Sequence, residues 1–150
     1  MADLATNIAK GRFIHYATLP GTNDGLVAVV LEAAGLETDD ALQDYDTLAA
    51  LLAGASNEQT TMGRKPLTNV TVAVDDTANT ASFDADDITW TAAAGAATGK
   101  LVICYDPDTT TGDDTTLIPL TIHDFAVTPD GTDITAQIDA DGLAVAENPA

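Results

Sequence analysis

The stretch Gly25-Leu-Val-Ala-Val-Val-Leu31 is an uninterrupted apolar run that contains three valines. A short continuous run of this kind, rich in β-branched residues, is typical of a strand that is buried on both faces. Leu101-Val-Ile-Cys-Tyr105 has the same character and predicts a second strand at the centre of a sheet. Together, the two runs predict a β-rich core.

Outside these runs, the hydrophobic pattern has period two. Val70, Val72 and Val74 alternate with Thr71 and Ala73. Alternation of this kind predicts a half-buried strand, and short strands separated by turn residues are typical of sandwiches and barrels. The same reasoning predicts strands at 81–83, 88–90, 117–122, 125–127, 134–138 and 143–145, with the last two forming a terminal hairpin. The predicted fold class is mainly β, a compact β-sandwich or barrel with one short amphipathic helix.

That helix is predicted over about 41–53. Its apolar residues recur at the three- and four-residue spacing of a helix face, at Leu42, Tyr45, Leu48, Ala49 and Leu52. Asp39 or Asp40 is expected to cap its start, and Gly54 is expected to end it. A short amphipathic helix must lie against an apolar surface to be stable.

The N-terminal part is predicted to be less regular. Residues 1–9 are polar and Ala-rich, which predicts a flexible arm, and 10–150 is expected to be a single β-rich domain. The segment 12–17 is expected to form the first strand. No signal peptide or membrane span is apparent, so we expect synthesis in a cytoplasm.

The net charge of −19 arises from 24 acidic residues against five Lys and Arg. Such a surface repels anionic membranes. It also disfavours nucleic acid, because binding by counterion release needs a cationic surface. Lys10 and Arg12 form one basic pair, Arg64 and Lys65 form another, and Lys100 is alone. The two pairs are the predicted contacts with an acidic partner or with a second copy of the chain.

Catalysis has little support in the sequence. Cys104, His123 and Asp124 could be written as a catalytic set, but adjacent residues of a strand point to opposite faces, so His123 and Asp124 could not form an orienting pair. No phosphate-binding loop or Cys/His metal spacing is present. We therefore expect no enzyme activity, no catalytic residues and no cofactor.

Calcium binding is a weaker alternative. One acidic loop holds Asp106, Asp108, Asp113 and Asp114, and hard oxygen ligands suit Ca²⁺. The loop lacks the ligand spacing of an EF-hand, and solvated turn residues explain it better in a chain with 20 Asp. Trp90 could serve as a stacking platform for a glycan, although core packing explains it better.

Segments along nearly the whole chain resemble those of small structural proteins of tailed bacteriophages that infect actinobacteria, in particular head decoration, or capsid cement, proteins. The segments that carry the resemblance are Leu26-Val-Ala-Val-Val-Leu-Glu-Ala-Ala-Gly-Leu-Glu37, Asp44-Tyr-Asp-Thr-Leu-Ala-Ala-Leu-Leu-Ala53, Arg64-Lys65 with Leu67-Thr68, Val74-Asp-Asp-Thr77, Asp84-Ala-Asp-Asp-Ile-Thr-Trp-Thr91, Leu101-Val-Ile-Cys-Tyr-Asp-Pro-Asp108, Pro119-Leu-Thr-Ile-His-Asp-Phe125 and Asp130-Gly-Thr-Asp133.

The resemblance implies a virion structural protein on the outside of a phage head, made in the host cytoplasm. It implies a homotrimer that binds the major capsid protein and has no catalytic residues. The net charge agrees with an exterior position, because the capsid interior faces packed DNA. The alternatives are a tail-tube, tail-fibre or head-fibre module, and a glycan- or Ca²⁺-binding β module.

Overall fold

The computed structural model describes residues 3–147. The strands are β1 (Leu4–Ala5), β2 (Gly25–Glu32), β3 (Lys65–Pro66), β4 (Thr71–Asp75), β5 (Thr80–Asp84), β6 (Ile88–Trp90), β7 (Thr98–Asp106), β8 (Ile118–Asp124), β9 (Ile134–Ala136) and β10 (Ala144–Glu147). The helices are α1 (Phe13–Ala17), α2 (Asp39–Leu42) and α3 (Leu48–Leu52). None of the helices in this part of the chain is long and apolar enough to cross a membrane.

A five-stranded antiparallel sheet in the order β1-β8-β7-β2-β3 lies at the centre of the fold. Its two longest strands, β7 and β2, pair along almost their whole length. They contain the two apolar runs, so the prediction of central strands is confirmed.

Both faces of this sheet are covered. Along β2, Ala28 and Val30 point to one face, and Val29 and Leu31 point to the other. Helices α2 and α3 cover the second face with Leu42, Leu48 and Leu51, and we call it the helix face. The first face, which we call the sheet face, is covered by α1 and by two smaller sheets, through residues that include Phe13, Phe83, Ile88 and Trp90. Coverage on both sides explains why the central runs are continuously apolar.

The smaller sheets are β10-β5-β4 and β6-β9. The β4–β5 hairpin forms as its period-two pattern predicts. The predicted terminal hairpin is wrong, because β9 pairs with β6 and β10 pairs with β5. No strand forms at 125–127. The fold is mainly β and compatible with a sandwich, and residues 3–147 contain no closed barrel.

The segment 12–17 is helical, so the prediction of a strand there is wrong. The backbone N–H of Phe13 donates to the carbonyl of Ala9 at 2.9 Å, and that of Tyr16 donates to Arg12 at 3.0 Å. Phe13 and Ala17 are both buried, one helical turn apart. Burying this pair against the sheet face favours a helix over a strand, because residues four apart share a helix face.

The predicted helix over 41–53 is interrupted and forms α2 and α3. Thr47 has an extended backbone, and its hydroxyl accepts the N–H of Ala50 at 3.2 Å, so it starts a new helix. Thr38 caps α2 in the same way, in place of the expected Asp39 or Asp40. A Thr at an N-cap satisfies an unpaired helix N–H. The break therefore comes from a second cap inside the apolar pattern.

The described part of the predicted N-terminal arm is docked against the sheet. Leu4 and Ala5 pair with Ile122 and Thr121 of β8. Thr6 and Ala9 are fully buried, and the Thr6 hydroxyl donates to the Pro119 carbonyl at 2.5 Å. Residues 3–9 are therefore not a loose arm, whereas residues 1 and 2 of that prediction lie outside the described residues.

Candidate functional site

Lys10 and Arg12 lie in the turns that lead into α1, and both are exposed. The Lys10 ammonium donates to the side-chain oxygen of Asn7 at 2.7 Å. Within residues 3–147, neither Lys10 nor Arg12 forms an ion pair. This pair of cations therefore faces solvent with its charge uncompensated by a direct contact.

The guanidinium of Arg64 is bound between the carboxylates of Glu58 and Asp114, an arrangement that we call the Arg64 clamp. Its guanidinium donates to both carboxylate oxygens of Glu58, each at 2.7 Å, and to both of Asp114, at 2.5 and 2.9 Å. Bidentate pairs of this kind are the strong form of a charge-assisted hydrogen bond. The hydrogen bonds from Arg64 lower the pKa of the Asp114 carboxyl. Arg64 is therefore a structural cation that joins residue 58 to the acidic loop.

Lys65 differs from its neighbour Arg64. It lies in β3, at the edge of the central sheet opposite β1, and it is half-buried. No ion pair involves it in the described chain. Of the four predicted contact residues, Lys10, Arg12 and Lys65 thus remain available for an outside partner, and Arg64 does not.

Lys100 is a buried structural cation, a role that the sequence analysis did not predict. Its side chain is 0% exposed, and its ammonium lies 2.6 Å from Asp124 and 2.8 Å from Asp39. This contact joins β7 to the end of β8 and to the first turn of α2. The one signal in the sequence is the position of a lysine directly before a central apolar run, where a charge needs a partner.

The acidic loop does not form a metal centre. Asp106 accepts the N–H of Asp108, Asp114 holds Arg64, and Asp108 and Asp113 each accept a following threonine. Among residues 3–147, no group of three or more His, Cys, Asp or Glu side chains is placed to hold a metal ion. The four candidates therefore stabilise turns or pair with Arg64.

A repeated Asp-x-Thr turn accounts for part of the acidity. The carboxylates of Asp108, Asp113 and Asp130 each accept both the N–H and the hydroxyl of the threonine two residues later. The hydroxyl contacts measure 2.5 to 2.6 Å. These hydrogen bonds to the threonines lower the pKa of all three carboxyl groups. The turns are therefore built on ionised aspartates.

This use of carboxylates predicts acid sensitivity. Because their pKa values are lower in the folded chain than the ordinary value of about 3.9, their stabilising contribution is complete above that value and is lost as pH falls through the folded pKa. We expect the thermal midpoint to change little between about pH 7 and 5 and to fall below about pH 4. Circular dichroism melts across this range test the prediction. A midpoint that rises steadily down to pH 3 would show that relief of acidic repulsion dominates.

Cys104 and His123 do not form a catalytic pair. Cys104 is fully buried on the helix face, and burial raises the pKa of its thiol. The two ring nitrogens of His123 contact the Thr121 hydroxyl at 2.9 Å and the Asp3 carboxylate at 3.0 Å. Both nitrogens therefore have partners that are not Cys104 or Asp124.

Trp90 is a core residue and cannot serve as a glycan platform in this structure. It is 1% exposed, and its indole N–H donates to the Gly63 carbonyl at 2.9 Å. Its ring packs against Phe125 with a centroid distance of 5.6 Å. The indole joins β6 to the chain just before Arg64.

A cavity of about 360 Å³ lies beside His123, and its lining mixes apolar residues such as Leu101 and Phe125 with polar residues. The polar ones are Asp3, His123, Asp124, Thr135, Gln137 and Asp139. A ligand site usually combines an apolar lining with convergent polar groups. This lining has side chains of both kinds, and the ring nitrogens of His123 are already engaged by Thr121 and Asp3. Comparison of the chain with family models, curated proteins and solved structures finds no match.

Proposed function

We propose that this protein is a structural component of a bacteriophage particle, a decoration (cement) protein bound to the outside of the head. In this role it stabilises contacts between major capsid subunits and acts as a homotrimer made in the host cytoplasm. Its role is architectural, with no catalytic step and no cofactor. The resemblance of segments along nearly the whole chain to such proteins supports this role.

The observation that carries the proposal is the unequal use of the five cations. Arg64 and Lys100 form ion pairs with carboxylates of the same chain. Lys10 and Arg12 stay exposed and without an ion pair in the described chain, on a protein whose net charge is −19. Cations kept free on such a surface suit a contact with an acidic patch of another protein, where charge complementarity steers association.

Cryo-electron microscopy of intact particles tests the location directly. We expect density for this chain on the outer surface of the head, at positions of threefold symmetry. Density in the tail tube or in fibres would contradict the decoration role and support another virion component. Particles that lack the chain altogether would contradict any virion role.

The docking residues are tested by changing Lys10, Arg12 and Lys65 to Gln together. We expect lower occupancy on decoration-free capsids, a further decrease with added salt, and an almost unchanged thermal midpoint, because surface charges contribute little to stability. Arg64 is left intact, since its removal would break the clamp with Glu58 and Asp114.

A matched control changes the net charge without touching the basic residues. Gln137→Glu, Asn23→Asp and Thr60→Glu together add three negative charges at exposed positions. This control is expected to bind capsids more tightly than the triple Gln variant. Equal binding by both variants and the parent would mean that the cations take no part in docking.

A further inference from the structure

Strand β4 presents an open sheet edge. It is the outer strand of the sheet β10-β5-β4, and its far side pairs with no other strand among residues 3–147. Four of its five residues are exposed, and Val74, with 70% exposure, is the most exposed large hydrophobic side chain in this part of the chain. An exposed strand edge is a template for pairing with another strand.

The pairing register fixes which side chains share a face of β4. Val72 lies opposite the buried Phe83, and Val74 lies opposite Ala81. Val72 and Val74 therefore lie on the face of β4 that packs toward the core. Val72 is half-buried there, whereas Val74 lies past the edge of the core and is mostly exposed. Thr71, Ala73 and Asp75 lie on the other face.

The edge also lacks most of the features that block pairing. Segment 70–74 contains no charged residue, no proline and no glycine, in a chain with 24 acidic residues. Charged residues occur only at one end, where Asp75 is the last residue of β4 and Asp76 begins the hairpin loop. Natural edges are usually blunted by charges, proline or bulges along the strand, so this uncharged edge stands apart from the rest of the surface.

We propose that β4 is an interface between two copies of this chain, in which the two β4 strands pair antiparallel across a twofold axis at Ala73. This contact goes beyond the proposed function and does not depend on it. It would join two three-stranded sheets into one continuous six-stranded sheet. An isologous contact of this kind uses the same surface on both copies.

The sequence of β4 is self-complementary in this register. Centring on Ala73 places Val72 opposite Val74 of the second copy, which creates two equivalent Val–Val pairs on one face. It places Thr71 opposite Asp75 of the second copy on the other face, so the two Asp75 carboxylates are not opposed. Cross-strand apolar pairs stabilise sheets, whereas directly opposed like charges destabilise them. Centring on Asp75 would oppose like charges and is disfavoured.

The remaining charge does not prevent the contact. Repulsion between two chains of net charge −19 acts mainly between exposed groups. Charges farther apart than the Debye length, about 8 Å at physiological salt, are largely screened. We therefore expect pairing to strengthen with added salt, in contrast to the salt-weakened docking of the exposed cations.

Single cysteines test the register. In the paired state, Ala73 faces Ala73 of the second copy, within the Cα separation of less than about 7 Å that a disulfide requires. Two Thr71 residues lie four positions apart along the strands, about 13 Å at about 3.3 Å per residue. Ala73→Cys is expected to give a covalent dimer on mild oxidation of concentrated protein, and Thr71→Cys is expected to give at least five-fold less. Native Cys104 is buried in both variants.

Two further variants complete the test. Thr71→Cys combined with Asp75→Cys is expected to restore cross-linking, because these positions face each other. Val74→Lys added to Ala73→Cys is expected to reduce cross-linking at least five-fold, with circular dichroism confirming the fold. The proposal is overturned if Ala73→Cys stays monomeric, as it would if an extended segment of another protein occupied this edge. It is also overturned if Ala73→Cys and Thr71→Cys cross-link equally, which would indicate random collisions.

Discussion

Replacing Lys100 with alanine is expected to lower the free energy of unfolding by about 3 kcal/mol. The side chain is 0% exposed, and its ammonium contacts Asp39 at 2.8 Å and Asp124 at 2.6 Å. Removing the cation takes a close charged contact away from each of two partly buried carboxylates. It also removes a contact between the central sheet and α2. Denaturant unfolding of the parent and the variant gives the difference directly.

Lys65→Ala is the matched control for this experiment, because Lys65 is also a lysine of the central sheet but forms no ion pair within residues 3–147. We expect it to change stability by less than about 1 kcal/mol. Lys100→Met separates charge from packing, since it keeps an apolar stem. Lys100 lowers the pKa of the Asp124 carboxyl. The deficit of Lys100→Met relative to the parent is therefore expected to shrink as the pH falls below about 4 and Asp124 is neutralised. Equal losses for Lys100→Ala and Lys65→Ala would contradict the role of the buried cation.

Replacing Gln59 with glutamate is expected to cost about 3 kcal/mol or more. The amide is 1% exposed, and its nitrogen donates to the carbonyls of Ala94 and Ala96 at 3.1 and 2.9 Å. Its oxygen accepts the N–H groups of Thr61 and Met62 at 2.9 and 3.2 Å. A carboxylate would keep the two acceptor contacts but would direct a negative oxygen at two carbonyl oxygens. The same side chain holds the small-residue loop 92–97 against the chain that precedes Arg64.

Gln137→Glu makes the same chemical change at an exposed position and is expected to be nearly neutral. The loss in Gln59→Glu is expected to decrease on acidification, because a buried carboxyl has a raised pKa and its penalty is present only while it is ionised. Chemical denaturation at pH 7 and at about pH 5 measures both effects. Similar stability of the two variants at pH 7 would mean that the Gln59 amide is not needed to hold the loop.

Much of the fold follows from local pattern. The apolar runs at 25–31 and 101–105 predict the two central strands, and alternation at 70–74 predicts one arm of the β4–β5 hairpin. These elements were predictable from the spacing of apolar residues. A continuous apolar run indicates a strand that is covered on both faces, and alternation indicates a strand that is covered on one face. The excess of acidic residues and the small number of cations can also be counted from the sequence without the structure.

The interpretation of the basic pairs needed the tertiary structure. Arg64 and Lys65 are adjacent in sequence, yet Arg64 is clamped by Glu58 and Asp114 while Lys65 is not. Asp114 is remote in the chain, and nothing in the residues around Arg64 signals its approach. In the sequence the two residues form one basic pair, and only the packing of the acidic loop distinguishes them.

The sequence by itself determined the mainly β fold, the central strands and the charge, because each depends on which residue types occur and at what period. Tertiary structure decided that 13–17 is a helix, that β10 pairs with β5, and that Lys100 lies between two carboxylates. These outcomes depend on partners that are distant in the chain. A short apolar segment can be buried as a helix or as a strand, and a lysine can be solvated or paired. The choice follows from the surface that the rest of the chain presents to it.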